Sequence, residues 1–169
     1  MIALSTALSF VTLFRLPNGG SITAASMVPV LAVGILYGTR HGMITAFAYA
    51  LLQLVTGFYA PPAQSVLTVF LTVVLDYILA FGVLGLGGVL YRMCGKKAFL
   101  IPISGGICCV LRLICHVLSG FLIWKDTLPA GQNPMLASLL YNGSYMGVEI
   151  LITVVVLLIL TPFLHKQAQ

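Results

Sequence analysis

AFLIPISGGICCVLRLICHVLSGFLIW, residues 98–124, carries one formal charge, Arg112, in 27 positions. At ~1.5 Å per residue an α-helix of this length crosses the ~30 Å hydrocarbon core of a bilayer. Within it Arg112, His116, Gly120 and Trp124 recur every fourth residue, so they share one face of a helix. A helix that is apolar on its other faces and carries an ionisable stripe belongs in a membrane, with the stripe turned toward protein or water.

The rest of the chain repeats this pattern. Of its 169 residues 60% are hydrophobic and 7% charged, and the mean hydropathy is +1.13. Soluble domains carry roughly 25% charged residues. Eight bases and three acids cannot cover a water-soluble fold of this size. A soluble enzyme, a nucleic-acid-binding domain and a disordered chain are excluded. Pro/Gly clusters and short polar turns divide the chain into six apolar stretches. The expected spans are 2–16, 24–38, 43–58, 64–91, 98–124 and 135–164, in a single domain over 1–169. The fourth is longer than a bilayer needs, so it is tilted or broken near Gly82–Gly85. The first is short; either that helix is stunted or the true start lies upstream.

The net charge of +5 does not form a patch. Arg40, Arg92, Lys96, Lys97 and Lys166 fall in the second loop, the fourth loop and the C-terminal tail, whereas Arg15 and Lys125 flank the first and fifth loops. Five against two predicts that both termini are cytoplasmic and that loops 1, 3 and 5 face out. Those are the loops with unusual composition: 17–21, 59–64 and 124–134. Cys94, Cys108, Cys109 and Cys115 fit neither a metal site nor a disulfide framework and read as buried thiols.

The ionisable groups inside apolar runs are Asp76, Arg112, His116 and Glu149, with Asn142, Tyr145 and Glu149 striping the last helix. Aromatic faces attract positive charge, a carboxylate offsets it, and an amide both donates and accepts. Such a set suits a small, flat, polar cation. Each member has a plainer reading: Asp76 as an ion pair with Arg112, His116 as a packing residue, Trp124, Tyr141 and Tyr145 as interfacial anchors, Glu149 as a satisfied buried acid. Gly82, Gly85, Gly87 and Gly88 suit close helix contact, and Ala3-x-x-x-Ala7 suits either internal packing or a partner's helix. No phosphate loop, dinucleotide fingerprint or His-Glu-x-x-His occurs, and no metal-binding spacing. Neither an enzyme nor a cofactor is expected.

These segments carry a resemblance. Pro17-Asn18-Gly19-Gly20-Ser21, Leu75-Asp76-Tyr77 with Leu79-Ala80-Phe81, the Arg112 to Trp124 series, and Tyr141-Asn142-Gly143-Ser144-Tyr145 resemble, in order, the thiamine-specific S-components of energy-coupling factor (ECF) transporters. The resemblance implies an all-α integral membrane protein of six transmembrane helices in a bacterial-type cell membrane. It implies high-affinity thiamine binding from outside, with Asp76, Tyr77, His116, Trp124, Asn142 and Tyr145 lining the site. It further implies docking through Ala3 and Ala7 onto a transmembrane coupling subunit that works with two ATPases. The alternatives are an S-component for another vitamin or a thiamine precursor, and a stand-alone proton-coupled transporter with Asp76, His116 and Glu149 as its relay.

Overall fold

The computed structural model describes residues 1–62 and 64–169; Ala63, part of the proline-rich third loop, lies outside the described residues. The chain opens with a helix, α1 (Ile2–Phe10), a hairpin of β1 (Thr12–Arg15) and β2 (Ser21–Thr23), and two helices, α2 (Val28–Tyr37) and α3 (Thr39–Gly57). Three helices long and apolar enough to cross a bilayer follow: α4 (Val66–Met93), α5 (Leu100–Ile123) and α6 (Pro134–Gln167). The protein is a mostly helical, multi-pass membrane protein. Large apolar side chains such as Val55, Val66, Phe70 and Ile159 cover the outside, while Met27, Leu31, Tyr49, Ile101 and Leu157 are fully buried.

The helix expected over 2–16 stops at Phe10. Val11-Thr12-Leu13-Phe14 is β-branched and aromatic, and it runs into Pro17-Asn18-Gly19, which turns the chain back. Asn18 and Gly19 have φ of 64° and 90°, which Asn and Gly tolerate best. The strands pair antiparallel, Phe14 opposite Ile22 and Arg15 opposite Ser21, with an irregularity between Thr12 and Phe14. Strand propensity plus turn chemistry therefore outweighs apolar continuity here.

The fourth expected span does not break near Gly82–Gly85; it changes winding. Val73–Leu79 is π-helical, and Ala80 N–H reaches Leu75 O, five residues back. Val83–Gly88 then tightens to a 3-10 helix. The tight segment is where α4 crosses α2 and α3. A Cβ on Gly85 would stand 2.7 Å from Met43 Cα, one on Gly42 2.9 Å from Gly34 Cα, and one on Gly88 would collide with Gly34 O. Three helices thus touch backbone to backbone, the use of small residues expected in a membrane. Gly82 has open space beside it.

Helix α6 begins at Asn133, whose side-chain oxygen accepts from Met135 N (3.0 Å) and Leu136 N (3.2 Å), satisfying two N-terminal donors. At the other end of the bundle, bases tie helix C-termini together. Arg92 Nη2 donates to Ile35 O and Leu36 O at 3.1 and 2.9 Å. Lys96 Nζ donates to Ala168 O at 2.9 Å. Of the cysteines, Cys108 and Cys109 are buried, Cys115 is half-buried and Cys94 is exposed.

Candidate functional site

A cavity of about 290 Å³ lies at the end of the bundle covered by the hairpin, opposite Arg92 and Lys96. Its walls come from the hairpin and from helices whose ends meet there. Helix α4 presents Asp76, Tyr77 and Phe81; α5 presents Arg112, His116, Ser119, Gly120 and Trp124; α6 presents Tyr141, Asn142, Tyr145 and Glu149. The whole four-residue series of α5 therefore faces the cavity. Asp76, Tyr77, His116, Trp124, Asn142 and Tyr145, residues from three separate helices, line one space.

The Asp76 carboxylate is held by α5. His116 Nδ1 lies 2.8 Å from Oδ1, and Ser119 Oγ donates to Oδ2 at 2.5 Å. Arg112 Nε donates to His116 Nε2 at 3.3 Å. An Nε2 that accepts leaves the imidazole proton on Nδ1, so His116 is a neutral donor to Asp76. The plainer reading of Asp76 as an ion pair with Arg112 does not hold: the pairing found among the described residues is His116–Asp76. Arg112 instead lies over the Phe81 ring, 4.1 Å from its centroid, a cation–π contact. The Asp76 side chain remains 20% exposed, so it faces the cavity with lone pairs to spare.

Asn142 is committed to the α5–α6 contact. Its Nδ2 donates to Ser138 O at 3.0 Å and to His116 O at 3.3 Å, while its Oδ1 accepts from Tyr145 Oη at 2.9 Å. A Cβ on Gly120 would collide with Ser138 Oγ, so glycine in the series lets the helices approach. Tyr77 works on loop 3. Its hydroxyl accepts from Tyr59 N and donates to Gly57 O, both at 2.9 Å. That fixes Tyr59, whose ring stacks on Trp124 with centroids 5.8 Å apart and planes 27° apart.

Among the described residues the charged side chains lining the cavity are Asp76, Glu149 and Arg112. Glu149 is buried and turned to Thr23, so Asp76 is the carboxylate left open to a cation, and its partial seclusion from bulk water strengthens that pull. Among the described residues, no three His, Cys, Asp or Glu side chains converge as a metal site. Away from the cavity, Ala3 and Ala7 are exposed on α1, whereas Ser5 is buried, its carbonyl facing the Tyr49 hydroxyl at 3.4 Å.

Sequence reading missed Tyr59 and Ser119. Ser119 sits three residues after His116, on the flank of the α5 stripe, and helical spacing alone gives that away. Tyr59 lies two residues past the end of α3, and nothing in a loop's sequence says which helix its ring will reach.

The profile of the thiamine transporter protein family matches residues 1–169. The thiamine transporter ThiT of Bacillus subtilis (strain 168) is 28% identical over 156 residues, covering 86% of this chain and 77% of its own. The solved structure of ThiT from Listeria monocytogenes superposes with a TM-score of 0.74 at 22% identity, covering 97% of this chain and 92% of that one; it shows that the fold is shared. These findings describe transporters, not an enzyme. With the match running from the first residue to the last, the chain belongs to the thiamine transporter protein family.

Proposed function

We propose that this protein is the substrate-binding S-component of an ECF transporter, taking up thiamine with high affinity from the outer face of a bacterial plasma membrane. The observation that carries the reading is the convergence of Asp76, Tyr77, His116, Trp124, Asn142 and Tyr145 on one cavity, with the Asp76 carboxylate open to it. Thiamine is a permanent cation of two flat heteroaromatic rings. Trp124 and Tyr59 supply ring faces, Asp76 supplies the counter-charge, and the remaining lone pairs of the Asp76 carboxylate and of Asn142 Oδ1 supply hydrogen-bond acceptors. The single domain 1–169 would cross the bilayer six times with both termini in the cytoplasm. The grouping of Arg92 and Lys96 at the end away from the cavity supports this orientation. Ala3 and Ala7, outward-facing and small, suit close contact with a helix of the coupling subunit, which two ATPases would drive.

Trp124 is the only tryptophan, so titration of the purified protein with thiamine should change its emission saturably. Emission that never responds, with calorimetry equally flat, sinks the reading. Competition with separate pyrimidine and thiazole pieces tests the precursor alternative. Vesicles holding this chain alone should bind thiamine but not accumulate it; uptake driven by a pH gradient would point to a stand-alone transporter instead. Ala3→Trp should leave thiamine affinity within about twofold while abolishing co-purification with the coupling subunit. Wild-type recovery of the complex would remove the docking role.

A further inference from the structure

Thr23-Ala24-Ala25-Ser26 joins β2 to α2, and its backbone is strained. Ala25 has φ of 61°, a left-handed conformation in which Cβ crowds the following carbonyl. Ala25 is buried, so this is no solvent-exposed loop tip. A residue persists in that region only where its surroundings over-determine it. Part of the restraint is local: Ala25 N–H donates to Thr23 O at 2.9 Å and Val28 N–H to Ala25 O at 3.0 Å.

The rest comes from α6. Glu149 Oε1 accepts from both the Thr23 N–H and the Thr23 hydroxyl, the latter at 2.8 Å. Because the Thr23 hydroxyl donates its proton there, the Ser26 hydroxyl 2.7 Å away must donate to Thr23 Oγ1. A relay of donors thus runs Ser26 to Thr23 to Glu149, across the strained turn. Glu149 is 3% exposed, and its Oε2 is buried with no hydrogen-bond partner among the described residues. Nor does any base pair with it: the ion pair recorded among those residues is His116–Asp76. A buried acid with one oxygen unpartnered is a costly feature inside a membrane domain, and the contacts it does make converge on β2.

The other end of β2 is gripped by the same helix. Tyr141 Oη accepts from Gly20 N at 3.0 Å and donates to Pro17 O. Tyr141 and Glu149 stand eight residues apart, ~12 Å along α6. Gly20 to Thr23 covers ~10 Å of strand. The helix therefore holds the strand at two points of matching spacing.

We propose that Glu149 is a positioning residue: it pins β2 to α6, sustains the strained Ala25 turn, and so fixes the hairpin wall of the cavity without itself meeting the ligand. The affinity arm of its test rests on the thiamine reading; the exchange arm does not.

Hydrogen exchange by mass spectrometry on the ligand-free protein reads the pin directly. Glu149→Ala should speed amide exchange in residues 21–26 by tenfold or more and weaken thiamine binding about tenfold. Glu149→Gln keeps the acceptor oxygen while removing the charge, and should restore both to near wild type. Should Glu149→Ala fail to fold, Thr23→Val carries the measurement, with faster exchange in the same segment expected. Wild-type exchange in Glu149→Ala, or in Thr23→Val where the former does not fold, overturns the proposal. So does a Glu149→Gln protein whose segment stays protected while its thiamine affinity drops tenfold, since the charge would then be serving the ligand. If wild type itself binds no thiamine, the transport reading falls while the exchange data still decide the pin.

Discussion

Trp124→Ala should weaken thiamine binding about a hundredfold, ~2.7 kcal/mol. Two losses combine. A partly desolvated cation over an indole face contributes about 1.5 kcal/mol, and the aromatic area buried against a flat ring adds about 1 kcal/mol. The substitution also strips Tyr59 of the surface it stacks on, 5.8 Å away, freeing a ring that otherwise borders the cavity. The backbone is not at issue: Trp124 caps α5 through its N–H to Gly120 O at 3.1 Å, and alanine retains that bond. Calorimetric titration measures the effect, because the variant has no tryptophan to report. Affinity within threefold of wild type, in a folded variant, would remove Trp124 from the site.

Gly88→Ala should destabilise the fold by about 3 kcal/mol or more, lowering the midpoint of thermal unfolding by about 10 °C. The new Cβ would enter the space of the Gly34 carbonyl. That obstacle is backbone, with no rotamer to yield, and α2 cannot step back because Leu31 and Ile35 are fully buried behind it. Alanine's better helix propensity, about 1 kcal/mol, is too small to offset the overlap. Gly82→Ala is the matched control: its Cβ meets open space, and its midpoint should stay at the wild-type value or rise slightly. Equal midpoints for the two variants would show that the crossing can open.

The sequence made the α5 stripe legible because a period of four over four positions in an apolar run is a geometric statement independent of neighbours. The α6 pair Asn142 and Tyr145 followed by the same logic. The hairpin was not legible. Val11 to Phe14 reads equally well as the end of a helix or as a strand, and only pairing with Ser21–Thr23 decides between them. Partner choice was also hidden. Opposite charges suggested Asp76 with Arg112, but helix phase brings His116 and Ser119 to the carboxylate and leaves Arg112 on Phe81. Glu149 was visible as a buried acid, yet its partner lies 126 residues away in a strand that apolar patterning did not reveal.

The loosely wound segment Val73–Leu79 has a consequence for how α4 can be read or copied. It carries roughly one surplus residue relative to an α-helix, a lag of ~100° of rotation. The tight segment Val83–Gly88 that follows winds at ~120° per residue instead of ~100° and recovers that lag by its end. Both ends of α4 therefore keep nearly the phase of an ordinary helix, while the stretch between the two irregular segments does not. Heptad-style bookkeeping carried through this helix misassigns that middle stretch, and a graft of its acid–tyrosine pair onto a regular scaffold helix would alter the angle between those side chains and the residues just after them.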